Sequence, residues 1–170
     1  MGKVIFICGK ICSGKTYYAK KLAVNEKAVI ISIDEIMLRI PRIDSSDEHD
    51  KVSLKLEEYC YEKTEEIINC GINVILDWGF WARSFRKYVS DYFSKREIKY
   101  EWHYIDVSDE AWVRYIEKRN KMVVEEKVQA YYLDEGLMNK LISKFEKPTQ
   151  NEIDVWITNT KSDYITVAGD

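Results

Sequence analysis

An apolar run that leads straight into a glycine-rich loop constrains the fold of this chain more than any other feature. Residues 4–8 are continuously apolar, as in a strand that is buried on both faces of a sheet. Residues 9–16 follow directly and match the pattern Gly-x-x-x-x-Gly-Lys-Ser/Thr at every fixed position. Only seven glycines occur among the 170 residues, so a chance match is rare. The sequence therefore predicts a strand, a phosphate-binding loop and a helix in succession.

The residue types in this loop define what it can bind. Its two glycines let the backbone N–H groups point inward, and the positive end of the following helix adds to their attraction for phosphate oxygens. Lys15 is expected to reach the β- and γ-phosphates, and the Thr16 hydroxyl is expected to bind Mg²⁺. These residues predict ATP and Mg²⁺ as cofactors. The alternative is a Gly-Lys turn that only caps a helix. The predicted nucleotide-binding residues are Gly9, Lys10, Cys12, Ser13, Gly14, Lys15, Thr16 and Tyr17.

Short apolar runs alternate with helical patterns along the rest of the chain. Four further runs read as buried strands, at residues 28–33, 72–76, 102–107 and 155–158. Apolar residues at helical spacing occupy the stretches between them, for example over 51–69 and 85–93. This order predicts an α/β protein in three layers, with a five-stranded parallel sheet, helices on both faces and a single domain over residues 1–170. In such sheets ligands bind beyond the carboxyl ends of the strands, so the chemistry is expected directly after each apolar run.

Composition argues against several classes of protein. Lys and Arg number 26 against 29 Asp and Glu, a net charge of −3, which makes long nucleic acids poor partners. The apolar runs are far shorter than the roughly 20 residues of a membrane span, so no membrane partner is expected. The four cysteines lack the spacing of a zinc site, and free thiols suit a cytoplasmic location. The sequence carries no signal for an oligomeric state.

Two aspartates end apolar runs at the expected edge of the sheet. Asp34 ends the second run, where it could activate an acceptor hydroxyl or hold the waters of Mg²⁺. Alternatively, Asp34 caps the helix that follows it. Asp77 ends the third run and is predicted to bind the metal together with Thr16. The alternative for Asp77 is a strand-end carboxylate that accepts hydrogen bonds from loop N–H groups.

Aromatic and basic residues directly after the third run suggest an acceptor pocket. Trp78 and Trp81 could stack on a planar or sugar-like group, and Arg83 and Arg86 could pair with an anion. The alternative is a packed aromatic corner beside a solvated basic helix face. The polar stretch 39–50 is expected to form a loop on the acceptor side. The predicted substrate-binding residues are Asp34, Arg39, Trp78, Trp81, Arg83 and Arg86.

A predicted helix near residue 115 carries an arginine on its apolar face. Arg119 continues the apolar spacing of this helix, whereas Arg114 lies roughly opposite. A guanidinium on an inward face needs an anion, which a transferring phosphate would supply. The alternative is a salt bridge to Glu125 or Glu126, and residues 120–131 are the candidate lid. The predicted catalytic residues are Lys15, Asp34, Arg119 and Arg114.

Taken together, these residues resemble a known family. The chain resembles small P-loop kinases of the bacterial ATP-binding family labelled an AAA domain, which is similar to polynucleotide kinase, zeta-toxin and chloramphenicol phosphotransferase-like proteins. The resemblance rests on residues 9–16, 32–35, 76–81 with Arg83 and Arg86, 114–120 and 145–149. It implies the P-loop NTPase fold with ATP and Mg²⁺ at Lys15 and Thr16. It also implies that Asp34 activates the acceptor hydroxyl and that Arg119 or Arg114 serves as a lid arginine.

The predicted function is transfer of the γ-phosphate of Mg-ATP to a hydroxyl of a small-molecule acceptor. In polynucleotide kinases an arginine follows the activating aspartate closely, whereas here Arg39 is the nearest, five residues after Asp34. This departure argues against a nucleic-acid end as the acceptor. Two alternatives stay open: a nucleoside or polynucleotide 5′-hydroxyl kinase, and an ATP-binding switch without transfer activity.

Overall fold

The computed structural model describes residues 2–40, 46–128 and 130–159, in which strands and helices alternate. The strands are β1 (Val4–Cys8), β2 (Ala28–Ile31), β3 (Asn73–Asp77), β4 (Tyr100–Val107) and β5 (Val155–Asn159). The helices are α1 (Lys15–Glu26), α2 (Ile33–Met37), α3 (Ser46–Asn69), α4 (Arg83–Ser94), α5 (Asp109–Val124) and α6 (Glu135–Ser143). A single 3₁₀ turn lies at Gln150–Glu152. None of these described helices is both long and apolar enough to cross a bilayer.

The five strands form one sheet in the order β2-β3-β1-β4-β5, and every pairing is parallel. The predicted α/β architecture with a five-stranded parallel sheet is therefore confirmed. The register pairs Ile7 of β1 with Asp77 of β3. Asp77 thus ends its strand beside the start of the loop that follows β1, at the carboxyl edge of the sheet.

Alternate residues of β1 pack on opposite faces of the sheet. Val4, Phe6 and Cys8 belong to the larger core, which includes buried residues of α3 and α4. Ile5 and Ile7 pack on the other side, against α1. All five side chains are fully buried, and burial of each large apolar one stabilises the fold by about 1.5–3 kcal/mol. Burial on both faces explains why β1 reads as a continuous apolar run rather than an alternating one.

Several boundaries differ from the expectation. β2 ends at Ile31 because Ser32 caps α2: its hydroxyl accepts a hydrogen bond from the backbone N–H of Glu35 at 3.3 Å. Asp34 is therefore not the cap, contrary to one of the two interpretations of that residue. Helix α3 begins at Ser46, so part of the expected acceptor-side loop is helical, and residues 41–45 lie outside the described ranges.

Candidate functional site

The loop after β1 contains residues with a left-handed backbone conformation and a glycine that is tightly packed. A Cβ atom on Gly9 would lie 2.7 Å from Ser13 Oγ and 2.9 Å from the Ile105 carbonyl oxygen, so a side chain cannot be placed there without displacing neighbours. Gly14 has φ 95° and ψ 13° directly before α1, and Cys12 has φ 58°. A loop of this shape, at the N-terminus of a 12-residue helix, suits an anion.

Helix α5 holds the loop from outside. Trp112 Nε1 donates a hydrogen bond to the Ile11 carbonyl oxygen at 2.6 Å. The Lys10 ammonium lies 3.1 Å from the Asp109 carboxylate, so this predicted nucleotide-binding residue has an ion-pair partner in α5. Tyr17 is half-buried in the first turn of α1. The loop backbone is thus tied to the body of the protein before any ligand binds.

Lys15 is folded back onto its own loop. Its ammonium donates hydrogen bonds to the carbonyl oxygens of Gly9 at 3.0 Å and Lys10 at 2.6 Å. Burial lowers the pKa of Lys15, and the carboxylates of Asp77 and Asp34 oppose that shift. A phosphate in the loop would favour the charged ammonium further, so the site fits the anionic end of a nucleotide.

Asp77 and Thr16, the two predicted metal-binding residues, meet at the carboxyl edge of the sheet. Asp77 is 3% exposed, and the Thr16 side chain is close enough to its carboxylate to favour the charged form. Burial raises the pKa of Asp77, while the Thr16 side chain and the Lys15 ammonium act in the opposite direction. A carboxylate and a hydroxyl fit Mg²⁺, which takes oxygen ligands and uses one or two protein groups beside substrate phosphates.

Arg119 reaches the phosphate-binding loop from α5. Its Nη1 lies 3.6 Å from Cys12 Sγ, and its Nη2 lies 3.5 Å from the Tyr131 carbonyl oxygen. Its Nε is buried with no hydrogen-bond partner in the described part of the chain. Glu125, an alternative partner of Arg119, is paired with lysines instead, at 2.8 and 3.9 Å. Arg114 is exposed on the same helix, whereas Arg119 is half-buried against the loop.

The candidate lid is shorter than residues 120–131. Its first five residues belong to α5, which ends at Val124, and Gln129 lies outside the described ranges. The Asn120 side chain makes two hydrogen bonds with the backbone of Leu133, at 2.8 and 2.9 Å. Leu133 is only 4% exposed, so the segment after α5 is anchored at its far end.

A cavity of about 470 Å³ opens at the carboxyl end of β3, and we call it the aromatic pocket. Its walls come from α2, α3, the β3–α4 loop, the start of α4, and the end of α6 with the residues that follow. Its lining includes the side chains of Asp34, Glu57, Trp78, Trp81, Phe85 and Lys144. Asp34 belongs to this lining and also acts on the pKa of Lys15, so the pocket adjoins the phosphate-binding loop.

Both predicted tryptophans line the aromatic pocket. Trp78 is 5% exposed and stacks on Phe80, with 5.0 Å between ring centroids. A Cβ atom on Gly79 would lie 2.6 Å from the Trp81 ring, so glycine allows that ring to fold over the loop. The packed-corner alternative and the pocket are therefore compatible, because Trp78 and Phe80 belong to the core cluster and also line the cavity.

Arg86 is a structural residue, which corrects its assignment to substrate binding. It is 2% exposed, and its Nη1 donates to the carbonyl oxygens of Phe80, Trp81 and Glu146 at 3.0, 3.0 and 3.1 Å. Its Nε donates to the Glu152 carboxylate at 3.0 Å. Arg86 therefore fastens the β3–α4 loop to the segment before β5 and is closed off from solvent.

The two other predicted substrate arginines also lie outside the lining of the aromatic pocket. Arg83 is exposed, with its Nε 3.6 Å from the Glu152 carboxylate. Arg39 is exposed and pairs with Glu35 at 2.7 Å. The expectation that Arg83 and Arg86 pair with an anion is therefore wrong for this cavity, and Arg39, a predicted substrate-binding residue, does not line it either.

Glu57 is a lining residue that the sequence analysis did not select. Its side chain is half-buried against the aromatic pocket, and burial raises its pKa. The signal that could have found it is helical spacing, because Glu57 lies three, four and seven residues before Cys60, Tyr61 and Thr64. Those three residues are at most 2% exposed, so Glu57 shares the inward face of α3.

Sequence comparison connects the chain with one family. A sequence model of the family described as AAA domain matches residues 4–139. A search of curated proteins gives no match.

Several solved structures share the fold. The APS kinase of Mycobacterium tuberculosis, in complex with AMPPNP and APS, is 17% identical with a TM-score of 0.61, covering 95% of this chain and 90% of that chain. A sugar kinase from Janibacter sp. HTCC2649 is 16% identical with a TM-score of 0.59, covering 93% and 86%. A gluconokinase from Sinorhizobium meliloti 1021 is 13% identical with a TM-score of 0.55, covering 92% and 81%. At these identities the likeness shows the fold alone, whereas the sequence model covers most of the chain, and the protein therefore belongs to the AAA domain family.

Proposed function

We propose that this protein is an ATP-dependent phosphotransferase that moves the γ-phosphate of Mg-ATP to a hydroxyl of a small molecule bound in the aromatic pocket. The observation that carries the proposal is the position of Asp34. Its carboxylate lines the pocket and also acts on the Lys15 ammonium at the phosphate-binding loop. A hydroxyl group held in the pocket would therefore lie between a base and the phosphate that it attacks.

The loop residues would act on the nucleotide side. Thr16 and Asp77 would hold Mg²⁺, which when bound neutralises charge on the β- and γ-phosphate oxygens. The Lys15 ammonium would contact the same β- and γ-phosphate oxygens. Arg119 would approach the transferring phosphate from α5, since its Nη1 lies beside Cys12 and its Nε has no partner among the described residues.

The reaction would be an in-line displacement at phosphorus. The acceptor oxygen forms a bond to the γ-phosphorus, the bond from that phosphorus to the bridging oxygen breaks, and ADP leaves with the electron pair. Asp34 takes the hydroxyl proton. Most of the rate would come from positioning and electrostatic stabilisation, because phosphoryl transfer needs little covalent chemistry from a protein.

The similar structures support this proposal. They include a sugar kinase, a gluconokinase and an APS kinase in complex with AMPPNP, an analogue of ATP. All three are kinases of small molecules, and each covers at least 92% of this chain.

The test is ADP release from Mg-ATP across a panel of nucleosides, oligonucleotide 5′-hydroxyl ends, sugars and amino sugars. We expect a small hydroxyl compound to stimulate release. Lys15→Ala should lower this rate at least about a hundredfold, and Asp34→Asn should lower it by about 10²–10⁴-fold. Glu35→Gln is the matched control, since Glu35 neighbours Asp34 but lies outside the pocket lining and pairs with Arg39.

The panel also separates the alternatives. Stimulation by oligonucleotide ends or nucleosides alone would indicate a 5′-hydroxyl kinase, in which the tryptophans stack on a base. Tight ATP binding with no stimulation, together with an unchanged Asp34→Asn variant, would contradict phosphotransfer and indicate a nucleotide switch.

A further inference from the structure

We propose that the acceptor is a hydroxylated organic cation, an amino sugar or another amino alcohol, whose ammonium group binds Glu57 in the aromatic pocket. This inference rests on the proposed function for its reaction. The class of compound that binds is inferred only from the residues that line the aromatic pocket.

The charge of the lining excludes a strongly anionic partner. Asp34, Glu57 and Glu146 contribute three carboxylates, and Lys144 is the one basic side chain among the described residues of the lining. Lys144 is exposed at the end of α6. An acidic cavity repels carboxylate and phosphate groups and attracts a cation.

Among the three carboxylates of the lining, Glu57 is half-buried without a basic partner among the described residues. It is half-buried, and the described part of the chain gives it no lysine or arginine within ion-pair distance. Burial alone accounts for the rise in its pKa. Burial of a carboxylate is unfavourable unless a cation or a set of donors compensates it, and an ammonium group of the acceptor would provide both.

The aromatic walls supply the remaining contacts. Trp78 is 5% exposed, and its indole N–H has no partner within the described residues; the buried N–H of Trp81 has none either. Both N–H groups are also closed off from solvent, so the walls offer a ligand their ring faces rather than these donors. The ring faces of Trp78, Trp81 and Phe85 can also stabilise a cation within about 6 Å. A cation held between these rings and Glu57 therefore compensates the carboxylate and contacts the aromatic faces at the same time.

The test measures binding rather than turnover. Ligand-observed NMR titrations are run on the protein with AMPPNP and Mg²⁺, on three matched sets of amine, uncharged and carboxylate compounds. The sets are glucosamine, glucose and gluconate; 2-deoxystreptamine, myo-inositol and quinate; and serinol, glycerol and glycerate. We expect the amine of at least one set to bind about tenfold or more tightly than its carboxylate counterpart.

Two variants assign that preference to Glu57. Glu57→Gln should remove the tenfold preference, and Glu57→Asp, which keeps the charge, should restore part of it. Glu58→Gln is the matched control, because Glu58 is exposed on the same helix and lies outside the lining. AMPPNP titration and thermal unfolding of each variant show whether it is folded.

The outcomes separate this inference from the proposed function. If no amine binds better than its uncharged and carboxylate counterparts, or if Glu57→Gln keeps the preference, the inference is overturned. In that case Asp34-dependent ADP release with an uncharged acceptor would still support the phosphotransferase. Conversely, amine binding that depends on Glu57 without any ADP release would support this pocket chemistry and contradict the transfer reaction.

Discussion

The Arg119 guanidinium lies 3.6 Å from the Cys12 sulfur, and this contact joins α5 to the phosphate-binding loop. Cys12 has φ 58°, so its side chain leaves the loop in a direction that an ordinary backbone conformation would not give. The left-handed residue and the inward arginine together place a guanidinium beside the loop that we propose holds the phosphates of ATP.

Removal of this guanidinium should slow phosphotransfer more than it weakens nucleotide binding. We expect Arg119→Ala to lower kcat by about 10³-fold, because an arginine at the transferring phosphate acts mainly on the transition state. Steady-state kinetics with the best acceptor would measure the change, and AMPPNP titration would measure nucleotide affinity. Arg114→Ala is the comparison: a larger loss of kcat there than in Arg119→Ala would show that Arg114 is the acting residue.

Replacement of Gly9 should disrupt nucleotide binding. In Gly9→Ala, the new Cβ atom would lie 2.7 Å from Ser13 Oγ and 2.9 Å from the Ile105 carbonyl oxygen, so the loop must shift. We expect destabilisation of about 1–3 kcal/mol and a marked loss of ATP affinity, measured by urea unfolding and calorimetric titration. Gly71→Ala provides the control, since Gly71 has φ 84° but open space around it. Equal ATP affinity in both variants would contradict the role given to Gly9.

The Arg86 clamp should contribute strongly to stability. Arg86→Met removes a 2%-exposed guanidinium together with its hydrogen bonds to three carbonyl oxygens and to Glu152 Oε2. We expect the free energy of unfolding to fall by about 3–5 kcal/mol in urea titrations. Arg83→Ala, which removes an exposed arginine near the same Glu152, should change it by about 0.5 kcal/mol or less. Similar losses in the two variants would count against the clamp.

The same clamp predicts a dependence on pH. Burial would raise the pKa of Glu152, but the Thr149 N–H group and Arg86 outweigh it and lower that pKa below its ordinary value of 4.5. A lowered carboxylate pKa adds stability that is full above about 4.5 and is lost as the pH falls through the folded-state pKa. The difference in unfolding free energy between the wild type and Arg86→Met should therefore shrink below about pH 4.5. A difference that stays constant into acid would contradict this assignment.

A side chain at Gly79 should weaken acceptor binding in the aromatic pocket. In Gly79→Ala, the new Cβ atom would lie 2.6 Å from the Trp81 ring, so the ring must move away from the loop. We expect a higher KM for the acceptor with little change in ATP affinity, because Gly79 lines the pocket and not the phosphate-binding loop. Trp81→Phe, which keeps a smaller ring, should show a weaker effect. An unchanged KM in Gly79→Ala would argue against acceptor binding at this cavity.

Features carried by local sequence were predictable, and features that depend on distant partners were not. The strands, their parallel order and the meeting of Thr16 with Asp77 follow from apolar runs, a fixed loop pattern and the rule that strand ends share one edge. Arg86 lies 66 residues from Glu152, so no local pattern shows that a carboxylate covers it. Its spacing to the buried Val89 and Phe93 was the available signal.

Glu57 was missed for a related reason. The aromatic residue Tyr59 of α3 is 52% exposed, whereas the buried face of this helix runs through Cys60, Tyr61 and the polar Thr64, so hydrophobicity alone does not locate that face. A shift of the buried helix face by one residue decides whether Glu57 faces solvent or the wall of the aromatic pocket. The charge of the cavity depends on that shift, which composition does not reveal.

The walls of the aromatic pocket are drawn from stretches of chain that are far apart in sequence, and the loop between Gly9 and Thr16 is not among them. Substitutions in α3, the β3–α4 loop or the end of α6 can therefore alter what enters the cavity while the residues of the loop between Gly9 and Thr16 stay the same. Such a division allows relatives to diverge in substrate range at little cost to ATP chemistry. Asp34 lines the cavity and also acts on the Lys15 ammonium, so under the proposed function it is the lining position that a change of substrate would have to preserve.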